Sequence, residues 1–574
     1  MACSVPRPGR PAIGRKVPRE GSDGPSGADA GRRDCPPMPD LVHGRERRPL
    51  VPGRTLFDEA EELSVVVPAS CQRLGRCHEC VVEVRAGADR LSPRTEAESF
   101  LAGAFRLACQ ARIERTDGDV EFNVLRRRLR ILLAPEGEVS DVDPPVRRAG
   151  DHVVRDGGVD LGSWFGRLLG LAVDVGTTTI VLELVDLETG ETAASAALEN
   201  PQRYGGSDVM SRISYDAAFP GQLRQSLRRA LNHEIRRLCS MLGVDRRAIV
   251  EAVLVGNTTM RDLAFGLDVA PIGRLPYRST TETAARVVGA RSTRIVKLAY
   301  ELGLLMHPRG RVIGSPIIAS HVGADAAADL VAVGAIHARE PFLLIDIGTN
   351  TEVIASDGRR LLAASSPAGP AFEGGGVRYG MAAADGAIEA VRLVDGRLET
   401  RTIGGMEPEG ICGSGLVDLL AVLRRSGRLT TRGGLADGAR EVAVVPERGI
   451  VLTTADVAHL AVAKAATAVG QRVLLRTLGL APSDLRHVYL AGGFANALDV
   501  PASIEIGLLV PVDPARVVRA GNASVSGAKA LLLSRRRRAE LESAVRRIDH
   551  VELESEPDFF DLFTDGCLFE PITA

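Results

Sequence analysis

Cys71, Cys77, Cys80 and Cys109 follow one another with the spacing C-x5-C-x2-C-x28-C. Three thiolates on one tight loop, with a fourth returning from a distance, form the donor set of a [2Fe–2S] cluster. Gly75, inside that loop, can supply the positive φ such a turn demands, and backbone N–H groups aimed at sulfur would tune the potential. Four thiolates also suit zinc, but zinc sites usually join two close pairs, whereas here three cysteines cluster and one stands apart. His78 reads as an exposed residue rather than a ligand, and Cys239, Cys412 and Cys567 as small hydrophobes.

Two further segments have the make-up of phosphate loops. In Asp174-Val175-Gly176-Thr177-Thr178-Thr179 the glycine lets backbone amides approach a polyphosphate and the threonine hydroxyls add donors. The aspartate can hold Mg²⁺, directly or through water. Asp346-Ile347-Gly348-Thr349-Asn350-Thr351-Glu352 repeats the design 172 residues later. One such loop is a common turn. Two, each behind an apolar strand (Leu169–Val175 and Pro341–Ile347), predict an internal duplication: two similar α/β lobes with a cleft between them.

Near the C-terminus, Tyr489-Leu490-Ala491-Gly492-Gly493-Phe494 is a strand running into Gly-Gly, where backbone can lie flat against an adenine or ribose. The resulting expectation is ATP in the cleft. Asp174 and Asp346 would serve Mg²⁺ and the hydrolytic water. Gly176, Thr177, Thr178, Thr179, Gly348, Thr349 and Asn350 would hold the phosphates, and Gly492 and Gly493 the nucleoside. Gly374-Gly375-Gly376 and Gly413-Ser414-Gly415 read as cleft lining, and Asp325 as cap, hinge or cleft residue alike. Which carboxylate acts as general base is not legible in the sequence.

These elements need a frame. The 574 residues, 45% hydrophobic, suffice for several cores. A net charge of −2 offers no field for nucleic acid, and no apolar run is long enough to span a membrane. Arginine supplies nearly all the cations; Lys16, Lys297, Lys464 and Lys529 are the only lysines. Nine cysteines over this length look like ligands and free thiols rather than a disulfide framework, which places the protein in the cytoplasm. Residues 1–37 have the composition of a disordered extension, and Met38 is a candidate natural start.

Residues 38–119 read as a β-grasp fold. Leu41–His43 and Pro49–Val51 form a first hairpin, Leu56–Leu63 a helix, Cys80–Val84 a strand, and Arg106–Ile113 a second strand carrying Cys109. Residues 120–168, with Arg126–Arg130 and Pro144–Pro145, read as a linker holding at most one short helix. Residues 169–574 follow as the two lobes, about 169–338 and 339–574. Gln222–Leu242, Thr454–Leu478 and Val525–Ile548 are their long helices, and Arg535–Arg538 reads as a solvated face of the last.

Two phosphate loops followed by Gly-Gly resemble the actin-like ATPase superfamily of sugar kinases, acetate kinases and heat-shock chaperones. The whole resembles, more narrowly, the reductive activators of corrinoid-dependent enzymes. That likeness runs over most of Met38–Ala574 and is carried by Arg106–Gln110, Leu171–Thr179, Asn200-Pro201-Gln202 with Tyr204-Gly205, and Asp208–Arg212. It continues through Gly256–Met260, Asp346–Asn350, Ala368–Gly374, Gly410–Leu416, Ala491–Phe494, Gly521-Asn522, Gly527-Ala528, Val551–Leu553 and Asp558-Phe559.

The resemblance implies a small β-grasp [2Fe–2S] ferredoxin domain followed by a two-lobed ATPase with duplicated ribonuclease H-like lobes. It implies a weak ATPase that passes one electron to an inactive Co(II) corrinoid protein of a methyltransferase system, restoring Co(I). An upstream low-potential donor would feed it, and a homodimer is compatible with it. Three departures stand out. Gln72 and Arg73 replace small residues in the cluster loop. Thr351 replaces a glycine after the second phosphate loop. Only about 50 residues stand where the family's fuller members carry a linker and a middle domain. The alternative client is an enzyme of the 2-hydroxyacyl-CoA dehydratase kind. Its activators have few cysteines and bridge a [4Fe–4S] cluster across a dimer, unlike the four-cysteine pattern here. A small-molecule kinase would need a polar substrate pocket, for which no signature stands out, and intact Asp, Gly and Thr at both loops oppose a degenerate scaffold.

Overall fold

The computed structural model describes residues 39–573, apart from 45, 126–140, 288, 290, 291 and 494. The readings made for residues 1–37, Met38, Arg126–Arg130 and Phe494 lie outside the described residues.

Five short strands and one helix make the N-terminal domain: β1 (Asp40–His43), β2 (Glu46–Pro49), α1 (Leu56–Glu62), β3 (Val81–Ala86), β4 (Phe105–Leu107) and β5 (Val120–Val124). The sheet order is β2-β1-β5-β3-β4, with β1 parallel to β5 and the other pairs antiparallel. This is the β-grasp arrangement expected. The helix starts where Thr55 and Asp58 close a capping box, and it buries Leu56, Phe57 and Ala60 against the sheet. Three details correct the sequence reading. The first hairpin pairs β1 with Glu46–Pro49, not Pro49–Val51. The domain extends past residue 119, because β5 is the central strand of its sheet. Cys109 stands in a turn after the three-residue β4, not in a strand, since the chain bends back once Ala108 N–H has bonded to the Cys80 carbonyl at 2.8 Å.

Glu98 holds that bend. Its fully buried carboxylate accepts from Arg106 Nε at 2.8 Å and from the Leu107 N–H at 3.0 Å. The stretch read as a linker carries a three-stranded sheet, β6 (Val146–Ala149), β7 (His152–Arg155) and β8 (Val159–Ser163), whose Val146, Val153 and Leu161 join a core shared with both lobes.

Both lobes follow one plan. In the first, β9 (Leu169–Val175), β10 (Thr179–Asp186) and β11 (Thr192–Glu199) run antiparallel, and β12 (Ile249–Val255) pairs parallel to β9 on its other side. In the second, Phe342–Ile347, Thr351–Ser356 and Leu361–Ser366 run antiparallel, and His487–Ala491 pairs parallel to the first of them. Each phosphate loop is therefore the hairpin turn between the first two strands of its lobe. Behind each stands the turn after the parallel strand. Gly256 (φ 147°) backs onto Val175, and Gly492 (φ 108°) backs onto Ile347; a Cβ on either would lie 2.6 or 2.3 Å from the opposed carbonyl oxygen.

The helices Ala324–Ala332 and Ala523–Leu533 cross between the lobes. They meet at Gly527, where a Cβ would sit 2.0 Å from the Ala328 carbonyl. Small residues at this crossing bring the two helix starts under the two loops. The helix read over Val525–Ile548 is broken: Ser534 is extended (φ −136°, ψ 118°), and its hydroxyl caps a second helix, Arg535–Ala544, by accepting from Arg537 N–H at 3.1 Å. Arg535–Arg538 is only partly a solvated face: Arg535 and Arg536 are exposed, whereas Arg537 and Arg538 are half-buried, and the run is paired. Arg535 pairs with Asp143 and Asp156, Arg536 with Asp141 at 2.9 Å, and Arg538 with the buried Glu251 of β12 at 2.8 Å. The run sews the β6–β8 segment to the first lobe.

Burial raises the Glu98 carboxyl, but the Arg106 guanidinium and the Thr95 and Leu107 N–H groups outweigh it and hold Glu98 below the usual carboxylate range. A depressed carboxyl stabilises the fold above its unfolded value of about 4.3 and loses that contribution as pH falls through its lowered folded value. Glu98→Ala strands a buried guanidinium and is expected to cost about 3–5 kcal/mol. Thermal unfolding of wild type and variant at neutral pH and at pH 3 checks both statements, with the difference shrinking in acid.

Candidate functional site

The four cysteines gather on the loop between α1 and β3 and the turn after β4. The thiols fall into two pairs: Cys80 Sγ lies 3.3 Å from Cys109 Sγ, and Cys71 is hydrogen-bonded to Cys77. The Cys80 S–H pushes the Cys109 thiol down to about 6, while the same contact and burial push Cys80 up. Two irons, each needing two thiolates, fit this pairing. Donors surround the sulfurs: Ser70 N–H points at Cys77 Sγ at 3.5 Å, and Gln110 Nε2 donates to Cys109 Sγ at 3.3 Å. Burial raises Cys71, but the N–H groups of Cys77, Arg76 and Leu74 bring it below its ordinary value.

The loop turns through left-handed backbone at Gln72 (φ 54°), Arg73 (φ 65°), Gly75 (φ 67°) and His78 (φ 54°). Gln72 and Arg73 thus occupy backbone where small residues are easiest, at a cost of roughly 1–2 kcal/mol each. Arg73 is held there by Asp58 at 2.7 Å and Glu61 at 2.6 Å on α1, with its guanidinium over the Phe57 ring. His78 is not exposed. It is half-buried, stacked on Phe100 with ring centroids 4.1 Å apart, and its Nδ1 lies 3.2 Å from Gln222 Oε1 at the start of the helix Gln222–Leu242. Burial pulls its pKa below the usual imidazole value.

Asp174, Gly176, Thr177, Thr178, Thr179, Asp346, Gly348, Thr349, Asn350, Gly492 and Gly493 all line one cavity between the lobes. Asp325 lines it too, which makes it a cleft residue. The sequence reading named no role for Asn257, Glu373 and Asn522, which also line it. Asn257 Nδ2 donates to Thr177 Oγ1 at 2.9 Å, and Asn522 hydrogen-bonds Asp174. Glu373 Oε2 accepts from Thr178 Oγ1 at 2.6 Å and Thr349 Oγ1 at 2.7 Å, joining the two loops. All three stand in segments quoted above for their resemblance, the only signal that could have found them. Thr351 packs instead of turning: it is buried in a strand, its hydroxyl 3.0 Å from Thr467 Oγ1.

Deep position and mutual repulsion raise the carboxyls beneath the loops. Burial comes first in each case. Asp346 pushes Asp325 up to about 7, and Asp346 itself rises to about 6 despite a bond with Asp329. Asp174, Asp329 and Glu352 are raised well above their ordinary values by burial and by the Asp325 and Asp346 charges.

The cleft and the cluster loop share a wall. Asn200 Nδ2 donates to the Gly176 carbonyl at 2.8 Å and its N–H to Thr178 O at 2.7 Å. The buried Arg212, pushed down to about 9 by desolvation, donates to Thr177 O at 2.6 Å and Gly206 O at 3.0 Å. From Asn200 the chain runs through one short turn to Tyr204, whose hydroxyl donates to Gln222 O at 3.1 Å and whose ring meets Phe100 edge-on. Gln222 and Phe100 are the residues that hold His78.

A ferredoxin-type thiol quartet seated on a two-lobed nucleotide cleft defines an iron–sulfur ATPase of actin-like fold. Family profiles match along the chain: a 2Fe-2S iron–sulfur cluster binding domain over residues 42–114, the RACo middle region over 169–338, and the C-terminal (ASKHA) domain of RACo over 340–573. The corrinoid activation enzyme RamQ of Eubacterium limosum is 31% identical over 429 residues, covering 70% of each chain. A [Co(II) methylated amine-specific corrinoid protein] reductase of Methanosarcina barkeri is 25% identical over 420 residues, 69% of this chain and 76% of its own. The solved structure of a reductive activator for corrinoid, iron–sulfur protein superposes with a TM-score of 0.68 at 28% identity, covering 93% of this chain and 98% of that one. The chain belongs to the RACo family of corrinoid activators. The middle region is not missing, as the short linker had implied; it is the first lobe.

Two substitutions separate the two halves of the site. Arg212→Ala leaves the Thr177 and Gly206 carbonyls without their partner, at about 1–3 kcal/mol per group, and is expected to weaken nucleotide binding at least about tenfold in calorimetric titration. Its visible iron–sulfur absorption should match wild type. Cys77→Ala should abolish that absorption and leave nucleotide binding intact.

Proposed function

We propose that this protein is an ATP-dependent reductive activator that restores the Co(I) state of a corrinoid protein for methyl transfer. The observation that carries the reading is the thiol quartet seated, through His78, on the same segment that braces the first phosphate loop. When bound, the [2Fe–2S] cluster supplies the single electron, at a potential near about −400 mV. The remaining chemistry belongs to the chain. Cys71, Cys77, Cys80 and Cys109 hold the irons, and buried donors such as Gln110 favour the thiolate forms. Asp174 and Asp346 serve a divalent cation, Mg²⁺, whose charge relieves the crowded carboxylates. The loop residues Gly176, Thr177, Thr178, Thr179, Gly348, Thr349 and Asn350 take the phosphates, and Gly492 and Gly493 face the nucleoside.

ATP can drive an uphill electron only by favouring one arrangement of protein and partner over another. Here it draws Thr178 and Thr349, one from each lobe, onto a single polyphosphate, and the lobes close. Asn200 and Arg212 carry that movement to Tyr204, Gln222 and the cluster loop. A gap of about 60 mV costs a factor of about ten for one electron, so the coupling needed scales with the potential difference between cluster and corrinoid. An upstream low-potential donor, a cytoplasmic location and a homodimer belong to the same proposal. Among the described residues no helix is long and apolar enough to cross a membrane, and the cysteines are free thiols.

EPR of the anaerobic, dithionite-reduced protein is expected to show a rhombic [2Fe–2S] signal. A corrinoid protein added with Mg-ATP should lose its Co(II) signal, and without nucleotide retain it. A cluster signal with no ATP-dependent cobalt reduction would overturn the corrinoid client and leave a dehydratase-type client to be tried.

The raised carboxyls fix a pH dependence. Between the unfolded carboxyl value of about 4 and the folded values of about 6 to 7, the folded protein binds protons that the unfolded chain does not. Without divalent cation, stability is therefore expected to fall as pH rises through that window. Mg-ATP should flatten the slope in thermal melts from pH 5 to 8.

A further inference from the structure

We propose that Glu373 is the catalytic residue that takes a proton from the attacking water during ATP hydrolysis. The assignment rests on the ATPase reading above and names the group that reading leaves open.

Glu373 differs from the other carboxylates of the cleft in its partners. Asp174 is engaged by Asn522, Asp329 by Ser524, and Glu352 by Ser365. Asp346 bonds Asp329, and Asp325 accepts from the Ala326 N–H in the first turn of its own helix at 2.9 Å. These groups lie behind the loops, where a cation is needed. Among the described residues, Glu373 is the carboxylate that bonds phosphate-loop hydroxyls, one from each lobe, while those hydroxyls stand 2.9 Å from one another. They are the groups that a terminal phosphate spanning both loops would engage. The oxygens of a polyphosphate and the carboxylate compete for these hydroxyls. Nucleotide entry therefore frees Glu373 beside the terminal phosphate, on the side of the threonines.

Its position is fixed rather than adjustable. Glu373 ends a single turn, Ala371–Glu373, closed by Gly374 at φ 89°, where a Cβ would meet Met381 N at 2.4 Å. The segment is tied to the second loop itself, because Gly369 N–H donates to the Thr349 carbonyl at 2.7 Å. Its other oxygen, Oε1, faces Gly348; a Cβ there would lie 3.7 Å away, so no side chain intervenes between carboxylate and loop backbone. A carboxylate tied to the loop that holds the phosphate keeps register with it when the lobes close.

The step balances without a further reactant. The water oxygen forms a bond to the γ-phosphorus, the bond from that phosphorus to the β–γ bridging oxygen breaks, and its electron pair leaves with ADP. One water proton passes to Glu373 and then to phosphate or solvent. Positioned acid–base groups contribute about 10²- to 10⁴-fold.

Phosphate release is measured on the full chain with Mg-ATP, alone and with a corrinoid protein, for wild type, Glu373→Gln and Glu373→Asp. Binding of a non-hydrolysable ATP analogue is titrated in parallel. Glu373→Gln is expected to lose about 10²- to 10⁴-fold in kcat with analogue affinity unchanged or tighter, because the competing charge is gone. Glu373→Asp should recover part of the rate. A kcat equal to wild type in Glu373→Gln overturns the assignment, as does a loss that lies in analogue binding alone. No phosphate release from wild type under any condition overturns the ATPase reading, and the assignment with it.

Discussion

Carboxylates that cannot all be charged at once sit beneath two loops built for phosphate, and the lobes are arranged around that conflict. Burial away from bulk water raises Asp174, Asp325, Asp329, Asp346 and Glu352, and the Asp325 and Asp346 charges raise their neighbours further. A fold optimised for stability alone would not collect them. They converge because each lobe ends its first strand with an aspartate, and because the crossing helices bring Asp325 and Asn522 to the same place. What is costly in the protein alone becomes favourable once a cation and a polyphosphate share the cleft, which makes the site's instability part of its affinity.

That arrangement also explains how a small electron carrier comes to be linked to a nucleotide site between two other domains. The first phosphate loop is not an independent turn. Its carbonyls are taken by Asn200 and Arg212, and the segment between these two leads directly to the residues that hold His78. Among the described residues the second loop has no such connection to the ferredoxin domain; its tie to the first runs through Glu373 and the two threonines. Among the described residues the first loop is thus the one braced by the segment that meets the cluster side. The pair of loops is duplicated in geometry but divided in role.

The sequence made the local patterns legible. Cysteine spacing, the two Asp-x-Gly-Thr turns behind apolar strands, and the long helices Gln222–Leu242 and Thr454–Leu478 each state their structure within a few residues. What it concealed was set by distant partners. Val120–Val124 lies beyond a turn-rich stretch, and only pairing with β1 and β3 reveals it as the central strand. Ser534 interrupts a helix at a residue whose helix propensity is only slightly poor, so nothing local announces the break. Arg535–Arg538 is partly solvated as its composition suggests, but its pairing with Asp141, Asp143, Asp156 and Glu251 emerges only once the fold brings them to it. His78 and Glu373 are ordinary residues in sequence and take their meaning from Phe100, Gln222, Thr178 and Thr349.

The crossing of the two inter-lobe helices has a mechanical consequence. At Gly527 no side chain separates one helix from the backbone of the other, so the helices cannot slide past that point without collision, but they can roll upon it. The contact therefore works as a fulcrum. Asp325 and Asn522, at the two helix starts, lie close to it along their helices and both line the cleft. The ferredoxin domain is fastened to the first lobe, through the Tyr215 hydroxyl on the Phe100 carbonyl and the Arg203–Glu83 pair at 3.4 Å, so any roll of that lobe carries the redox centre with it.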